Sequence, residues 1–247
     1  MFKKNSKAFL LHKKEKILHN TKDMLSVVAT PIGNLGDITL RAIETLTKAD
    51  AIVCEDTRVT GNLLKQLHIP KKELISLHGY SSPEKADALT ARMKAGEHMA
   101  LVSDAGTPGI SDPGYALVSR VRTAGVTIEV VPGPSALLAA LSASGLPINQ
   151  FVYLGFPPLK KGRQTLFTSL PEEKRTVVLY ESVHRIEKTL LELSRYLESQ
   201  PEREIVIARE LTKMHEELIA CTIATLQDTV PTFTKKGEFV IVIGPMR

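Results

Sequence analysis

Short apolar runs alternate with amphipathic segments through the first half of this 247-residue chain. The runs are typical of buried strands, and the segments between them have the spacing of helices that bury one face. Strand-like runs lie at 25–29, 51–54, 74–77, 99–102 and 126–131, and helical segments lie at 39–48, 57–67, 83–95 and 112–124. This alternation predicts an α/β domain with a mostly parallel sheet that helices cover on both faces.

The alternation stops at a segment rich in proline and glycine, SGLPINQFVYLGFPPLKKGR at 144–163. We expect a domain boundary there, between an N-terminal α/β domain at 24–147 and a C-terminal α/β domain at 148–247. The second half carries a buried run at 177–180, an amphipathic helix near 184–199 and strand candidates at 204–208, 216–222 and 238–243. These elements predict a mixed sheet. Two such domains leave a cleft between them, where ligands commonly bind.

The net charge of +5 is confined to the first 23 residues, which carry seven lysines against one glutamate and one aspartate. Residues 24–247 are therefore neutral overall, and the basicity does not describe the globular body. We expect 1–23 to be a basic, disordered N-terminal extension, and the body to begin at Met24.

Cysteine and histidine patterns favour neither a disulfide nor a metal site. Cys54 and Cys221 form no C-x-x-C pair, and none of the seven histidines belongs to an H-x-x-x-H or H-E-x-x-H pattern. We therefore expect no metal, and a reducing cytoplasm as the location. No apolar run approaches the roughly 18 residues of a membrane span, so no membrane partner is expected.

A distinctive loop follows each of four predicted strands of the first domain. Three of these loops are rich in glycine and proline, and the other is charged. They are TPIGNLGD at 30–37, EDTR at 55–58, SDAGTPGISDPG at 103–114 and PGPS at 132–135. The carboxyl ends of parallel strands line the ligand crevice of an open α/β sheet. Chain reversal alone is an equally good interpretation of any one loop. Four loops at one sheet edge favour a binding site.

The loop at 103–114 contains two aspartates and no lysine or arginine. It therefore lacks the cation that a polyphosphate normally needs. Gly106 and Gly109 allow positive φ and a close backbone approach. A ligand with positive charge, sugar hydroxyls and a carboxylate suits this loop better, and S-adenosylmethionine carries all of these groups.

Eight sequence blocks occur in one order along the chain: TPIGNLGDIT, EDTR, SDAGTPGISDPG, PGPSALLAALSASGLP, GF.P.KKGR, YES.HR, ARELTK.HEE and KGEFV. In this order they resemble the bacterial 16S ribosomal RNA cytidine 2′-O-ribose methyltransferases of the tetrapyrrole methylase superfamily. The resemblance extends from about Leu25 to Gly244. It implies S-adenosylmethionine-dependent methylation of a cytidine ribose in the decoding region of 16S rRNA. It also implies a cytoplasmic homodimer that acts on 16S rRNA or the small ribosomal subunit.

The resemblance implies two α/β domains of the tetrapyrrole methylase type with the methyl donor in the cleft between them. By position, the implied donor-binding residues are Pro31, Asp104, Ala105, Gly106, Thr107, Pro108, Gly109, Ser135, Ala136, Leu179, Tyr180 and Ala208. Pro31 is expected beside the transferred methyl group.

Methyl transfer to a ribose hydroxyl requires that the hydroxyl proton leave, and a positioned base assists this step. The candidates for proton acceptance and substrate orientation lie at two strand exits: Glu55, Arg58, Arg209, Glu210 and Lys213. The alternatives are an Asp56–Arg58 turn pair that caps the next helix and a surface cluster of ion pairs. We interpret His184 as a cap or surface group.

Lys160, Lys161, Arg163 and Arg185 are predicted to contact RNA phosphates, with Phe156 or Tyr153 as a stacking surface. A solvated run of charges is the alternative. Two other functions stay open. A methylase for a porphyrin-like ring would need a broad apolar cavity, and an RNA-binding module without catalysis would bind RNA but no methyl donor.

Overall fold

The computed structural model describes residues 23–79, 82–112 and 114–246. The basic extension was predicted to be disordered, and all of its residues except Asp23 lie outside the described ranges. Pro113 also lies outside them. Within the described ranges, none of the helices combines the length and the apolar character that crossing a membrane requires.

The first half of the chain forms the predicted parallel sheet. Its strands are β1 (Met24–Val28), β2 (Ala51–Cys54), β3 (Glu73–Ser76), β4 (His98–Leu101) and β5 (Thr127–Val131), and its helices are α1 (Leu40–Lys48), α2 (Thr57–Gln66), α3 (Pro83–Lys94) and α4 (Tyr115–Thr123). The strand order is β3-β2-β4-β1-β5, and every pair is parallel. The alternation of apolar runs and amphipathic segments therefore led to the correct architecture.

Helices cover both faces of this sheet because its inner strands β2 and β4 are fully buried and, apart from His98, consist of apolar residues. Met93 of α3 and Leu117 of α4 pack against one face. Leu46 of α1 and Leu64 of α2 pack against the other. The helices thus form two layers around the sheet, and the carboxyl ends of its strands remain free to carry loops.

The second half forms a mixed sheet, as the sequence predicted. Its strands are β6 (Phe151–Gly155), β7 (Thr176–Ser182), β8 (Glu204–Arg209), β9 (Glu217–Thr222) and β10 (Glu238–Ile243); the helices after α4 are α5 (Ala136–Ala143), α6 (Arg163–Ser169), α7 (Ile186–Tyr196) and α8 (Ile223–Thr229). The strand order is β6-β7-β10-β8-β9. Only the β6–β7 pair is parallel among these described strands. Short 3-10 turns lie at Leu35–Asp37, Leu170–Glu172 and Val230–Thr232.

Alternate residues of the second sheet enter two different apolar layers. In β7, Leu179 faces the layer formed with α6, α7 and α8. Its neighbour Tyr180 faces the layer formed with α5. Although α5 precedes the predicted boundary, its residues Leu137 and Leu141 pack against this second sheet. The division of the chain at 147/148 stays our proposal.

Candidate active site

Hydrogen bonds join the loops at the carboxyl edge of the first sheet. The Thr30 N–H donates to the Gly106 carbonyl at 2.9 Å, and the Gly106 N–H donates to the Thr30 carbonyl at 3.0 Å. The Thr107 hydroxyl donates to the Pro134 carbonyl at 3.1 Å. The backbone polar groups of Gly106 are therefore committed within the protein, and its contribution to a ligand site is close approach.

The loop at 55–58 is held by two carboxylates. Asp104 Oδ1 accepts the Asp56 N–H at 3.1 Å, which links this loop to the one at 103–114. Asp56 caps α2, because its Oδ1 accepts the Arg58 N–H at 2.8 Å. The Arg58 guanidinium also binds the Asp56 carboxylate and holds its pKa far below the usual range. The capping hydrogen bond and the ion pair together match the helix-capping alternative. The Arg58 side chain is 90% exposed.

A cavity of about 400 Å³ lies between these loops and the second sheet. Its volume falls within the roughly 300–1,000 Å³ of small-molecule pockets. Of the predicted donor-binding residues, those in its wall are Ala105, Gly106, Thr107, Ser135, Ala136, Tyr180 and Ala208. The structure therefore brings together residues from two predicted loops and two strands that are up to 103 positions apart in the sequence.

Other predicted donor-binding residues do not line the cavity, namely Pro31, Asp104, Pro108, Gly109 and Leu179. The Leu179 side chain faces away from the cavity, because it is fully buried in the layer on the opposite face of β7; a contact of the donor with the Leu179 backbone stays a prediction. The Asp104 carboxylate instead binds the backbone of Asp56.

Sequence reasoning missed several wall residues, among them Ile32, Ile110, Leu211 and Val240, whereas Asp112 belongs to the aspartate-bearing loop that it had selected. Strand alternation would have found Val240, because β10 exposes every second residue to this layer. Ile32 and Ile110 follow predicted strands within loops that had been selected for glycine and proline, and their apolar character gave no separate signal.

An aromatic cluster forms the wall on the side of the second sheet. The Tyr180 ring meets the rings of Tyr153 and Phe156 edge-on, with centroid distances of 5.1 and 5.6 Å. The Leu137 N–H donates to the Tyr180 hydroxyl at 2.9 Å, and burial raises the pKa of Tyr180. Phe156, predicted as an RNA-stacking residue, thus lies in the cavity wall. The rings of Tyr180 and Phe156 therefore give this side of the cavity an apolar aromatic wall, against which an aromatic heterocycle could pack.

Residues 24–227, which include most of both sheets, match the family model described as Tetrapyrrole (Corrin/Porphyrin) Methylases. The chain belongs to this family. It is 47% identical over 225 residues to the Ribosomal RNA small subunit methyltransferase I of Synechocystis sp., and the match covers 90% of this chain and 78% of that protein. It is 42% identical to the protein of the same name from Thermotoga maritima, with 89% and 97% of the two chains covered.

Solved structures show the same fold at low sequence identity. A cobalt-precorrin-4 methyltransferase from cobalamin biosynthesis superposes with a TM-score of 0.66 and 19% identity, covering 93% of this chain and 98% of that one. Diphthine synthase superposes with a TM-score of 0.67 and 15% identity, covering 90% of each chain. The chain thus has the tetrapyrrole methylase fold, and the comparisons with its relatives make it a methyltransferase.

The predicted catalytic residues of this tetrapyrrole methylase lie outside the cavity wall. The Arg209 guanidinium is buried and donates to the carbonyls of Lys236 and His215 at 2.8 and 3.2 Å. Lys213 Nζ pairs with Glu210 Oε1 at 2.8 Å. Lys213 and Glu210 thus form an ion pair, as the alternative interpretation expected, whereas Arg209 is buried and does not belong to a surface cluster.

Lys213 also connects the two halves of the methylase. Its aliphatic chain passes so close to Gly33 that a Cβ there would lie 2.4 Å from Lys213 Cγ. Gly33 has a φ of +151°, and its missing side chain makes room for this contact. Lys213 therefore packs the loop after β8 against the loop after β1.

Two predicted RNA contacts of the methylase have structural partners instead. Arg163 is buried, and its guanidinium binds Glu192 and donates to the Thr189 hydroxyl at 2.8 Å. The Arg185 guanidinium binds Glu181 at 2.8 Å and donates to the Pro157 carbonyl at 2.8 Å. The structure thus corrects the assignment of Arg163 to a phosphate, because its N–H groups face protein acceptors.

Lys160 and Lys161 keep the exposure that an RNA contact requires. They follow Phe156 of the cavity wall by four and five residues. These lysines therefore lie on the chain segment that follows the cavity wall, and their contact with RNA stays a prediction.

The carboxylate of Asp112 is half-buried in the wall of the methylase cavity. Burial, followed by the negative charge of Glu55, raises the pKa of Asp112 to about 6. Within the described ranges, no group of three or more His, Cys, Asp or Glu residues is arranged to hold a metal ion.

Proposed function

We propose that this methyltransferase moves the methyl group of S-adenosylmethionine to the 2′-hydroxyl of a cytidine ribose in the decoding region of 16S rRNA. Relatives named Ribosomal RNA small subunit methyltransferase I, at 42–47% identity over about nine-tenths of the chain, support the substrate. The observation that carries the proposal is the cavity between the glycine-rich loops and the aromatic wall.

The charge of the cavity wall fits a cationic donor. The acidic side chains available to the cavity are those of Asp112 and Glu238, and among the described residues that line it there is no lysine or arginine. A polyphosphate would meet negative charge there without a compensating cation, whereas a sulfonium and an ammonium group would be attracted.

The shape of the cavity fits the other parts of S-adenosylmethionine. The edge of the aromatic cluster and the small side chain of Ala208 would accommodate the adenine ring. The loop at Ala105–Thr107 lies on the opposite side, where a Cβ on Gly106 would come within 3.2 Å of Ile32 Cγ2. This glycine lets the loop run close to the amino-acid part. When bound, S-adenosylmethionine supplies an electrophilic methyl group on a sulfonium.

The protein assists the reaction by excluding water and by orienting the two reactants. The cavity is walled mainly by apolar atoms of both halves, including Ile32, Leu211 and Val240. Sulfonium and developing alkoxide charges disappear in the reaction, so an apolar wall favours the transition state over the separated charges. Lys160 and Lys161 would hold the RNA backbone outside the cavity through phosphate contacts.

We further propose a cytoplasmic homodimer with 16S rRNA or the small ribosomal subunit as substrate. Large apolar side chains that are more than half exposed on the first domain and α5 support a partner subunit: Leu40, Tyr115, Val130 and Leu138. Burial of such groups in an interface is favourable, at about 25 cal/mol per Å² of apolar surface.

Mass mapping of 2′-O-methyl groups in 16S rRNA tests the proposed function. RNA from cells that lack the gene is expected to lose one 2′-O-methylcytidine in the decoding region. The purified protein with S-adenosylmethionine is expected to restore that group on isolated small subunits, and protein without the donor serves as the control. An unchanged methylation map, or a restored methyl group on a base, contradicts the proposal.

A further inference from the structure

Three acidic residues line the cavity, but the carboxylate of Glu181 is fully buried on the other face of β7, where it accepts a hydrogen bond from Thr189 of α7. Glu181 Oε1 lies 2.8 Å from the Arg185 guanidinium. Glu238 Oε2 lies 3.1 Å from Lys213 Nζ. Asp112 is the third acidic residue in the wall, and no ion pair within the described part of the chain includes it. A carboxylate without a cation keeps its capacity to accept a proton.

Other groups in the wall are less suited to accept a proton. The Tyr180 hydroxyl accepts the Leu137 N–H, and the tyrosine is neutral at ordinary pH because burial raises its pKa further. Of the described residues in the wall, none is a histidine, lysine or cysteine. Asp112 is therefore the group in the cavity with both access to the ligand and a free basic form.

The surroundings of Asp112 increase its basicity. Burial has the largest effect, the negative charges of Glu55 and Asp104 act in the same direction, and a hydrogen bond with Ser103 opposes them. Tyr153, which faces Asp112 from the second sheet, is neutral, and burial raises its pKa as well. A pKa of about 6 keeps Asp112 ionised at neutral pH and makes it a stronger base than an ordinary aspartate.

We propose, on the basis of the proposed function, that Asp112 is the catalytic base of this methyltransferase. The Asp112 carboxylate takes the proton of the ribose 2′-hydroxyl as that oxygen forms a bond to the methyl carbon. The bond between this carbon and sulfur breaks, and its electron pair stays on sulfur. Asp112 then returns the proton to solvent. Glu55 lies outside the cavity wall, and its negative charge raises the pKa of Asp112.

Separate measurement of turnover and binding tests Asp112. The Asp112→Asn variant keeps the size of the side chain but removes the basic form. We expect kcat on small subunits to fall by roughly 10²–10⁴-fold. Calorimetry with S-adenosylhomocysteine is expected to show affinity within about twofold of the wild type, because a base contributes only in the transition state. Asp87→Asn removes an exposed carboxylate that pairs with Arg120, and serves as the control.

Two results would overturn the assignment to catalysis. Unchanged kcat in Asp112→Asn would exclude the base, and loss of S-adenosylhomocysteine binding with proportionate loss of activity would make Asp112 a donor-binding group. If the wild-type protein itself methylates no ribose, the proposed function fails instead. The two failures are therefore distinguishable.

A titration gives a second test that needs no turnover. The ¹³C chemical shift of the Asp112 carboxyl in the wild-type protein is expected to report a pKa near 6. Glu55→Gln removes a negative charge, so this midpoint and the acid limb of the kcat profile are expected to move together to lower pH. Asp112→Glu is expected to restore part of the activity lost in Asp112→Asn. An acid limb that does not follow the carboxyl titration contradicts the proposal.

Discussion

Gly106 is the residue on which the close approach of the main loop depends. Its φ is +83°, and a Cβ would lie 3.2 Å from Ile32 Cγ2 in the cavity wall. An alanine there would be strained and would push Ile32 into the space for the ligand. We expect Gly106→Ala to weaken S-adenosylhomocysteine binding by about tenfold, which corresponds to about 1.4 kcal/mol. Isothermal titration calorimetry measures this loss.

Gly125 provides the matched control for Gly106. It has a φ of +74°, it lies in the turn after α4, and a Cβ there would meet nothing within 4 Å. Gly125→Ala therefore adds similar backbone strain without changing the cavity. Equal losses of affinity in the two variants would mean that strain alone, and not the approach to the ligand, explains the effect.

Residue patterns predicted the loops of the site better than its charged groups. Gly106 and Ser135 lie in loops that were selected because they follow strands, and strand exits meet at one sheet edge; the family resemblance supplied their donor-binding role, and both line the cavity. The partners of charged groups depend on tertiary contacts. Arg163 and Glu192 pair across 29 residues, so the burial of Arg163 could not be predicted from its lysine-rich neighbourhood. The role proposed for Asp112 could not be predicted from sequence either. It depends on the absence of a cation partner for this carboxylate among the described residues.

At the scale of elements, amphipathic helices and apolar strands were predicted and less regular elements were not. The predicted bounds of α1 to α4 differ from the observed ones by at most three residues at any end. In contrast, α5 has the sequence ALLAALSA. Its exposed side includes Leu138, so the helix lacks the alternation of polar and apolar faces by which helices were predicted. β6 lies within the segment rich in proline and glycine, and α6 and α8 have only seven residues each. Periodicity is weak evidence for such short elements.

Arg163 connects α6 to α7 and is expected to stabilise the second half of the molecule. Its guanidinium binds Glu192 and Thr189 of α7 and lies 4.8 Å from the ring centre of Phe167. In Arg163→Met the Glu192 carboxylate, whose side chain is 22% exposed, loses its cation. We expect the free energy of unfolding to fall by about 3 kcal/mol. Urea denaturation followed by circular dichroism measures the change.

Lys161→Met is the control for Arg163→Met, because the lysine is exposed and lies two residues away. We expect its stability to change by less than about 0.5 kcal/mol. Its affinity for RNA is expected to decrease, with a shallower dependence on salt concentration, because a phosphate contact is lost. If Arg163→Met gave the same reduction in salt dependence with wild-type stability, the correction of its role would be wrong.

At the scale of the whole molecule, the two halves share an apolar layer. Ile32 from the loop after β1 and Leu137 from α5 pack with Val206 and Val242 of the second sheet. Lys213 adds a contact in the other direction, over Gly33. The sequence pattern predicted two domains with a cleft. It could not reveal this shared layer, because the residues of the layer come from distant parts of the chain. The shared layer indicates that the halves unfold together.

Ligand binding is expected to stabilise both halves at once, because the cavity wall includes Gly106 and Ser135 from the first and Tyr180 and Ala208 from the second. S-adenosylhomocysteine at 100 times its Kd should raise the free energy of unfolding by about 2.7 kcal/mol. Differential scanning calorimetry should show one transition that moves as a whole to higher temperature. Gly106→Ala at the same ligand concentration should show a smaller shift. Two transitions, of which only one responds to the ligand, would show that the site belongs to one half alone.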